Sequence, residues 1–141
     1  MPYIEWNAQL ETGVAGIDHE HRRLVQLLND IHELIAADAD PRRIADTLAD
    51  FHTLATAHFA LEEKIMRARK YPAFAERRET HRRLLDEVRD IMDAYDSGSF
   101  RGSRSLPATL RQWLLQAMSI DVDLFTKLEA ANLRKWGLTQ G

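Results

Sequence analysis

Residues 58–81 read HFALEEKIMRARKYPAFAERRETH and hold His58 and Glu62 one helical turn apart, then Arg77 and His81 one turn apart. Side chains four apart on a helix share a face. Imidazole nitrogens and carboxylate oxygens so placed are ligands for a divalent metal. Arginine offers donors and no lone pair, so it cannot ligate, but it can neutralise a carboxylate. A further imidazole, His21, lies in the segment IDHEH. All five residues fall on helical faces that are otherwise apolar. An unpaired buried charge costs several kcal/mol, so five polar residues on such faces need a shared reason. Their placement favours a metal site over a metal-free polar network.

The elements that must position these groups are helices. An N-terminal arm over 1–17 carries Trp6, Gly13 and Gly16. Asp18 is the expected N-cap of a first helix to about residue 37. Asp40-Pro41 opens a second to about residue 70, with proline at the first helical position. Tyr71-Pro72 restarts the chain as a third, to about residue 96. The segment Ser97-Gly98-Ser99-Phe100-Arg101-Gly102-Ser103 reads as a loop, after which Ser105 caps a fourth, to about residue 136. Each helix has an apolar seam at alternating three- and four-residue steps: Leu24, Leu28 and Ile31 on the first, Phe51 and Ala55 on the second, Leu84, Val88 and Ile91 on the third, Leu110, Trp113, Ala117, Ile120 and Leu124 on the fourth. Long helices with short connections predict an all-α, up-down-up-down four-helix bundle with an N-terminal arm, in a single domain over 1–141. In antiparallel helices His21, early in the first, lies level with His58–Glu62, late in the second, and with Arg77–His81, early in the third.

Composition narrows the function classes. The chain has 141 residues, 29% of them charged, and a formal net charge of −3. No field of one sign points to nucleic acid or an anionic membrane. Cysteine is absent, which excludes disulfides and thiolate-ligated zinc. No apolar run approaches the roughly 20 residues of a membrane span, and MPYIEWNAQL lacks the regions of a signal peptide. The expected compartment is the cytoplasm; no protein partner is indicated. His19 and His52 point away from the expected site. His32 shares the direction of His21 but lies about 16 Å along the axis toward the far end of the bundle. Met66, Met92, Met118, Trp113 and Phe125 read as packing.

Further residues carry a resemblance. Trp6-Asn7 with Gly13, then Ile17-Asp18-His19-Glu20-His21 with Leu24, His58-Phe59 followed by Glu62-Glu63 and Met66, Tyr71-Pro72, and Trp113-Leu114 together resemble the bacterial hemerythrins from end to end. The resemblance implies two irons in the bundle core, oxygen binding at one of them, and a ligand set of five histidines and two bridging carboxylates. It assigns His21 and His58 to one iron, Glu62 to a bridge and His81 to the other iron. The chain departs from the pattern at Arg77, Ala117 and Val122, where two histidines and the bridging aspartate are expected. Asp121 enters the site if the fourth helix is slipped by one residue; otherwise both it and Asp123 are solvated. Arg77 is expected to pair with Glu62, or with Asp121 in the slipped register, in place of a missing cation.

The resemblance therefore implies a non-haem metal-binding protein for oxygen binding, sensing or iron handling. Its incomplete site would hold at most one metal, through His21, His58, Glu62, His81 and Asp121, with dioxygen or another small ligand as partner. The donors suit iron or zinc. An alternative is a metal-free signalling or interaction module retaining the fold. A third reading is a mononuclear iron centre reacting with oxygen or peroxide, although the primary expectation is not an enzyme.

Overall fold

The structure, a computed structural model, describes residues 4–98 and 105–135, with side chains described to Leu128 and that of Gln9 excepted. A 3-10 turn, Ala8–Leu10, precedes four helices: α1 (Ala15–Ala36), α2 (Pro41–Ala68), α3 (Phe74–Asp96) and α4 (Ser105–Lys135). α1 packs on α2 and α4, and α3 packs on α2 and α4, closing a four-helix bundle. No strand occurs among the described residues. No helix there is long and apolar enough to cross a membrane. Residues 99–103 of the expected loop, and the expected end of the fourth helix at Trp136, lie outside the described residues.

The turns follow from local chemistry. Asp40 caps α2 by accepting from Arg42 N at 2.9 Å, with Pro41 at the first helical position. α1 and α2 close alike: Asp38 and Lys70 adopt left-handed backbone, with φ of 52° at each. Ala39 N then donates to Leu34 O, and Tyr71 N to Met66 O, both at 2.9 Å. These are Schellman closures built without glycine; Gly98, φ 92°, takes the equivalent place after α3. The N-cap expectation at Asp18 is corrected. α1 starts at Ala15, and buried Asp18 instead reaches back, its carboxylate accepting from Thr12 N, Thr12 Oγ1 and Gly13 N. A side chain in the first turn thus ties down the arm. Farther along, Asn29 makes reciprocal bonds with the backbone of Ile4, at 2.8 and 3.0 Å.

Apolar residues form a main core, including Leu28, Ile31, Leu48, Phe51, Val88, Leu110 and Leu114. A smaller cluster of Ile17, Met66, Leu124, Phe125 and Leu128 lies toward the α2–α3 turn. The buried polar residues His21, His58, Glu62, His81 and Asp121 fall between the two along every helix. They form a polar layer with apolar side chains above and below, which keeps water away and strengthens every charge interaction inside.

Candidate metal centre

Each helix contributes to this layer. α1 supplies His21, α2 supplies His58 and Glu62, α3 supplies His81 and α4 supplies Asp121, all 2% exposed or less. His21 Nε2 and His58 Nε2 lie 3.0 Å apart, and each is 2.8 Å from Asp121 Oδ2. Glu62 Oε1 lies 3.0 Å from His58 Nε2 and 3.8 Å from His81 Nε2. The first of these approaches is close but poorly aligned, and neither Glu62 oxygen has a hydrogen-bond partner among the described residues. His81 Nε2 and Asp121 Oδ1 are also buried and unpartnered. Leaving a buried polar group unsatisfied costs about 1–3 kcal/mol, and a bound ion is one way to offset such a concentration. Two trios of donor atoms lie within 4.8 Å of one another, His21–His58–Asp121 and Glu62–His81–Asp121. The bare atoms and the nitrogen and oxygen donor set fit a divalent metal.

Asp121 faces inward without any slip of α4, which is unbroken from Ser105 to Lys135. Four residues after Ala117, it lies about 40° around an ideal helix from that buried position, whereas Val122 lies about 140° away. Asp123 is exposed, as expected for its direction. Where the resemblance expects an aspartate at Val122, the carboxylate of this chain that faces the layer is that of Asp121, and the remaining departures from the pattern are at Arg77 and Ala117.

Arg77 does not join the layer, which corrects the expected pairing with Glu62 or Asp121. Its guanidinium donates to Asp123 Oδ2 at 3.0 Å and to Ile120 O at 3.4 Å. The physical reason is reach: a long side chain can bury its stem and carry its charge to the surface, avoiding desolvation. Burial opposes the Arg77 charge, but hydrogen bonds to Asp123 and Tyr71 outweigh it and raise its pKa.

The charge that Arg77 was expected to supply comes from His58. Burial alone would lower its pKa, but the Asp121 and Glu62 carboxylates beside it raise it to about 11. Burial and the charge of Asp121 push Glu62 well above the ordinary carboxylate range, against the pull of His58. Burial opposes ionisation of Asp121 too, but His21 and His58, both at 2.8 Å from its Oδ2, hold it below that range. Among the protein groups alone, charge thus balances as an imidazolium on His58, a carboxylate on Asp121 and a proton kept by Glu62. His81 differs: burial lowers its pKa in spite of the Glu63 carboxylate beside it.

Two groups that sequence reasoning gave no role complete the surroundings. Glu20 Oε1 lies 3.0 Å from His58 Nδ1, and Glu63 Oε2 lies 3.0 Å from His81 Nδ1. The available signal was adjacency, since Glu20 precedes His21 and Glu63 follows Glu62. The Phe59 ring stacks on His81, with centroids 4.2 Å apart and planes 9° from parallel. Trp113 is packing, as expected: it is buried against Phe51 and Phe59, and its indole N–H donates to Leu84 O. His19 is exposed, His32 and His52 are half-buried, and none belongs to either trio.

Comparison with known proteins agrees with this arrangement. Residues 12–128 match the hemerythrin family, described as Hemerythrin HHE cation binding domain. The chain is 25% identical over 121 residues to a bacteriohemerythrin of Pseudomonas aeruginosa (strain LESB58), covering 86% of this chain and 78% of that protein. It is 25% identical over 138 residues to a bacteriohemerythrin of Stenotrophomonas maltophilia (strain R551-3), covering 96% and 88%. Its backbone is similar to a crystal structure of a hemerythrin L114A mutant, with a TM-score of 0.77 and 22% identity, over 91% of this chain and 98% of that one. With the match spanning both trios of candidate ligands, the chain belongs to the hemerythrin family of cation-binding domains.

Proposed function

We propose that this chain is a non-haem metal-binding protein that holds one ion tightly, iron by family precedent, and has a weakened second position. The observation that carries the reading is the pair of ligand trios sharing Asp121. His21 and His58 would hold the tight ion, with Asp121 and Glu62 as carboxylate ligands reaching toward the other position. There His81 is the one histidine of the resemblance's three, since Arg77 and Ala117 occupy the other places. The apolar layers on either side would exclude water, and the arm places Trp6 beside His21, with ring centroids 6.4 Å apart. Bound iron would supply redox chemistry toward dioxygen or a comparable small ligand. An oxygen-carrying role that draws electrons from two irons does not suit so depleted a second position, which favours sensing or iron handling.

A second reading, a metal-free signalling module, is supported by the ability of His58 to balance Asp121 without help. Metal analysis separates the two. Protein purified without added metal, then titrated with ferrous iron in the absence of oxygen, should take up about one tightly held ion per chain. The double variant Arg77→His with Ala117→His should raise uptake to roughly two, because it restores both missing imidazoles to a position whose other donors are present. No uptake by the parent protein would favour the metal-free module. A folded double variant that gains no second ion would overturn the assignment of the weakened position.

A further inference from the structure

The outer nitrogens of the three buried histidines are treated differently. His58 Nδ1 meets Glu20 and His81 Nδ1 meets Glu63, each at 3.0 Å. His21 Nδ1 is buried with no hydrogen-bond partner among the described residues. The two glutamates sit at the edge of the bundle, their side chains 19% and 20% exposed. Each reaches forward by one helix: Glu20 on α1 holds a ring on α2, and Glu63 on α2 holds a ring on α3. Consecutive residues thus divide the work, one of each pair facing the interior (His21, Glu62) and the other turning to the neighbouring helix.

We infer that Glu20 and Glu63 are positioning residues that fix the ring tautomer and tilt of His58 and His81, leaving His21 as the unsupported imidazole of the centre. The inference rests on the metal-binding reading above. A neutral imidazole carries one N–H and one lone pair, and the partner of one nitrogen decides the state of the other. An ionised carboxylate only accepts, so at 3.0 Å the Nδ1 of each ring must donate. The lone pair of a neutral ring is then on Nε2, which faces the interior in both cases. The opposite tautomer would set a lone pair against a carboxylate and turn an N–H toward the ligand position. For His81, the stacked Phe59 ring already fixes the ring plane, so Glu63 settles what remains, the proton's place and the tilt within that plane. An anionic partner also makes a ring a more basic ligand.

The test uses the full chain with four variants: Glu20→Gln and Glu63→Gln, which keep an acceptor without the charge, and Glu20→Leu and Glu63→Leu, which remove it. Zinc affinity should fall roughly 10- to 100-fold in each leucine variant, and less in the glutamine variants. Nitrogen-15 imidazole spectra supply a readout that a merely structural role would not move. In chelator-treated parent protein at neutral pH, His81 should show a proton on Nδ1; Glu63→Leu should shift it toward Nε2, and Glu63→Gln should largely retain it. In zinc-loaded protein, the exchange-protected Nδ1 proton of His58 should be lost in Glu20→Leu. Parent protein that takes up no zinc would remove the metal-binding reading, while the His81 spectrum would still decide whether Glu63 sets its tautomer. Parent protein that binds zinc, with variants of unchanged affinity and an unmoved His81 tautomer, would overturn the inference.

Discussion

The two halves of the centre solve the same problem differently. On one side His21 and His58 converge on one oxygen of Asp121, both at 2.8 Å, and His58 carries the balancing charge. On the other, His81 is the single imidazole, 3.8 Å from Glu62, with its inner nitrogen unpartnered among the described residues and its pKa lowered first by burial. The contrast teaches that charge compensation need not sit where the chain departs from the family's pattern. Arg77 and Ala117 sit at the depleted half, yet the charge compensation comes from the intact half, and Arg77 spends its charge on the exposed carboxylate of Asp123.

Asp121 is common to both halves, so its removal has the gravest consequence. Asp121→Asn should abolish tight metal uptake. It should also destabilise the metal-free protein by about 3–5 kcal/mol, the usual cost of breaking a buried pair from one side. Urea unfolding and metal analysis check the two effects together; a variant that retains full uptake would mean that Glu62 alone joins the halves.

A change of pH sharpens the difference in charge. The folded-state pKa of His58 is raised from 6.5 to about 11, so its contribution is fully present below pH 6.5 and is lost as pH rises through 11. Glu62, raised by burial and by Asp121, acts in the same direction, because its proton is held in the folded state and released on unfolding. The metal-free protein should therefore lose stability above neutrality, by up to about 1.4 kcal/mol per pH unit for each proton involved. His58→Gln should flatten that slope markedly in unfolding measurements from neutral to alkaline pH, whereas His81→Gln should leave it in place.

The smallest effect belongs to Arg77. Its pairing with Asp123 is partly exposed, the side chains being 16% and 54% accessible, and such pairs contribute about 0–1 kcal/mol. Arg77→Ala should cost no more than that in thermal or urea unfolding and should leave the tight ion in place. A loss of several kcal/mol would restore the idea of a guanidinium standing in for a cation.

The bundle was legible because four seams of three- and four-residue spacing leave few other ways to bury Leu28, Phe51, Val88 and Leu110. The convergence of His21, His58, Glu62 and His81 was legible from the same seams. Asp121 was half-legible: it continues the buried positions Trp113 and Ala117 by a further step of four, but the family's spacing drew attention to Val122 and made a helix slip appear necessary. Arg77 misled because a seam gives the direction of Cβ and says nothing of where a long side chain ends. Glu20 and Glu63 act between helices, and no pattern within one helix reports which ring on the next will meet them. The start of α1 was misplaced for a related reason, since Asp18 binds the backbone of Thr12 and Gly13 in the arm before it.

The place of Asp121 in the chain has a consequence for assembly. The His21–His58 contact spans 37 residues, but Asp121 lies 63 positions from His58 and 100 from His21. Contacts of long sequence separation close late, because the loop entropy must be met before they form. During synthesis the first three helices leave the ribosome ahead of α4, and with them every histidine of the centre. A nascent chain at that stage holds the imidazoles and Glu62 but not Asp121, the residue common to both trios. On the metal-binding reading, loading would await the last helix, and a chain halted before Ser105 would carry most of the donors without Asp121.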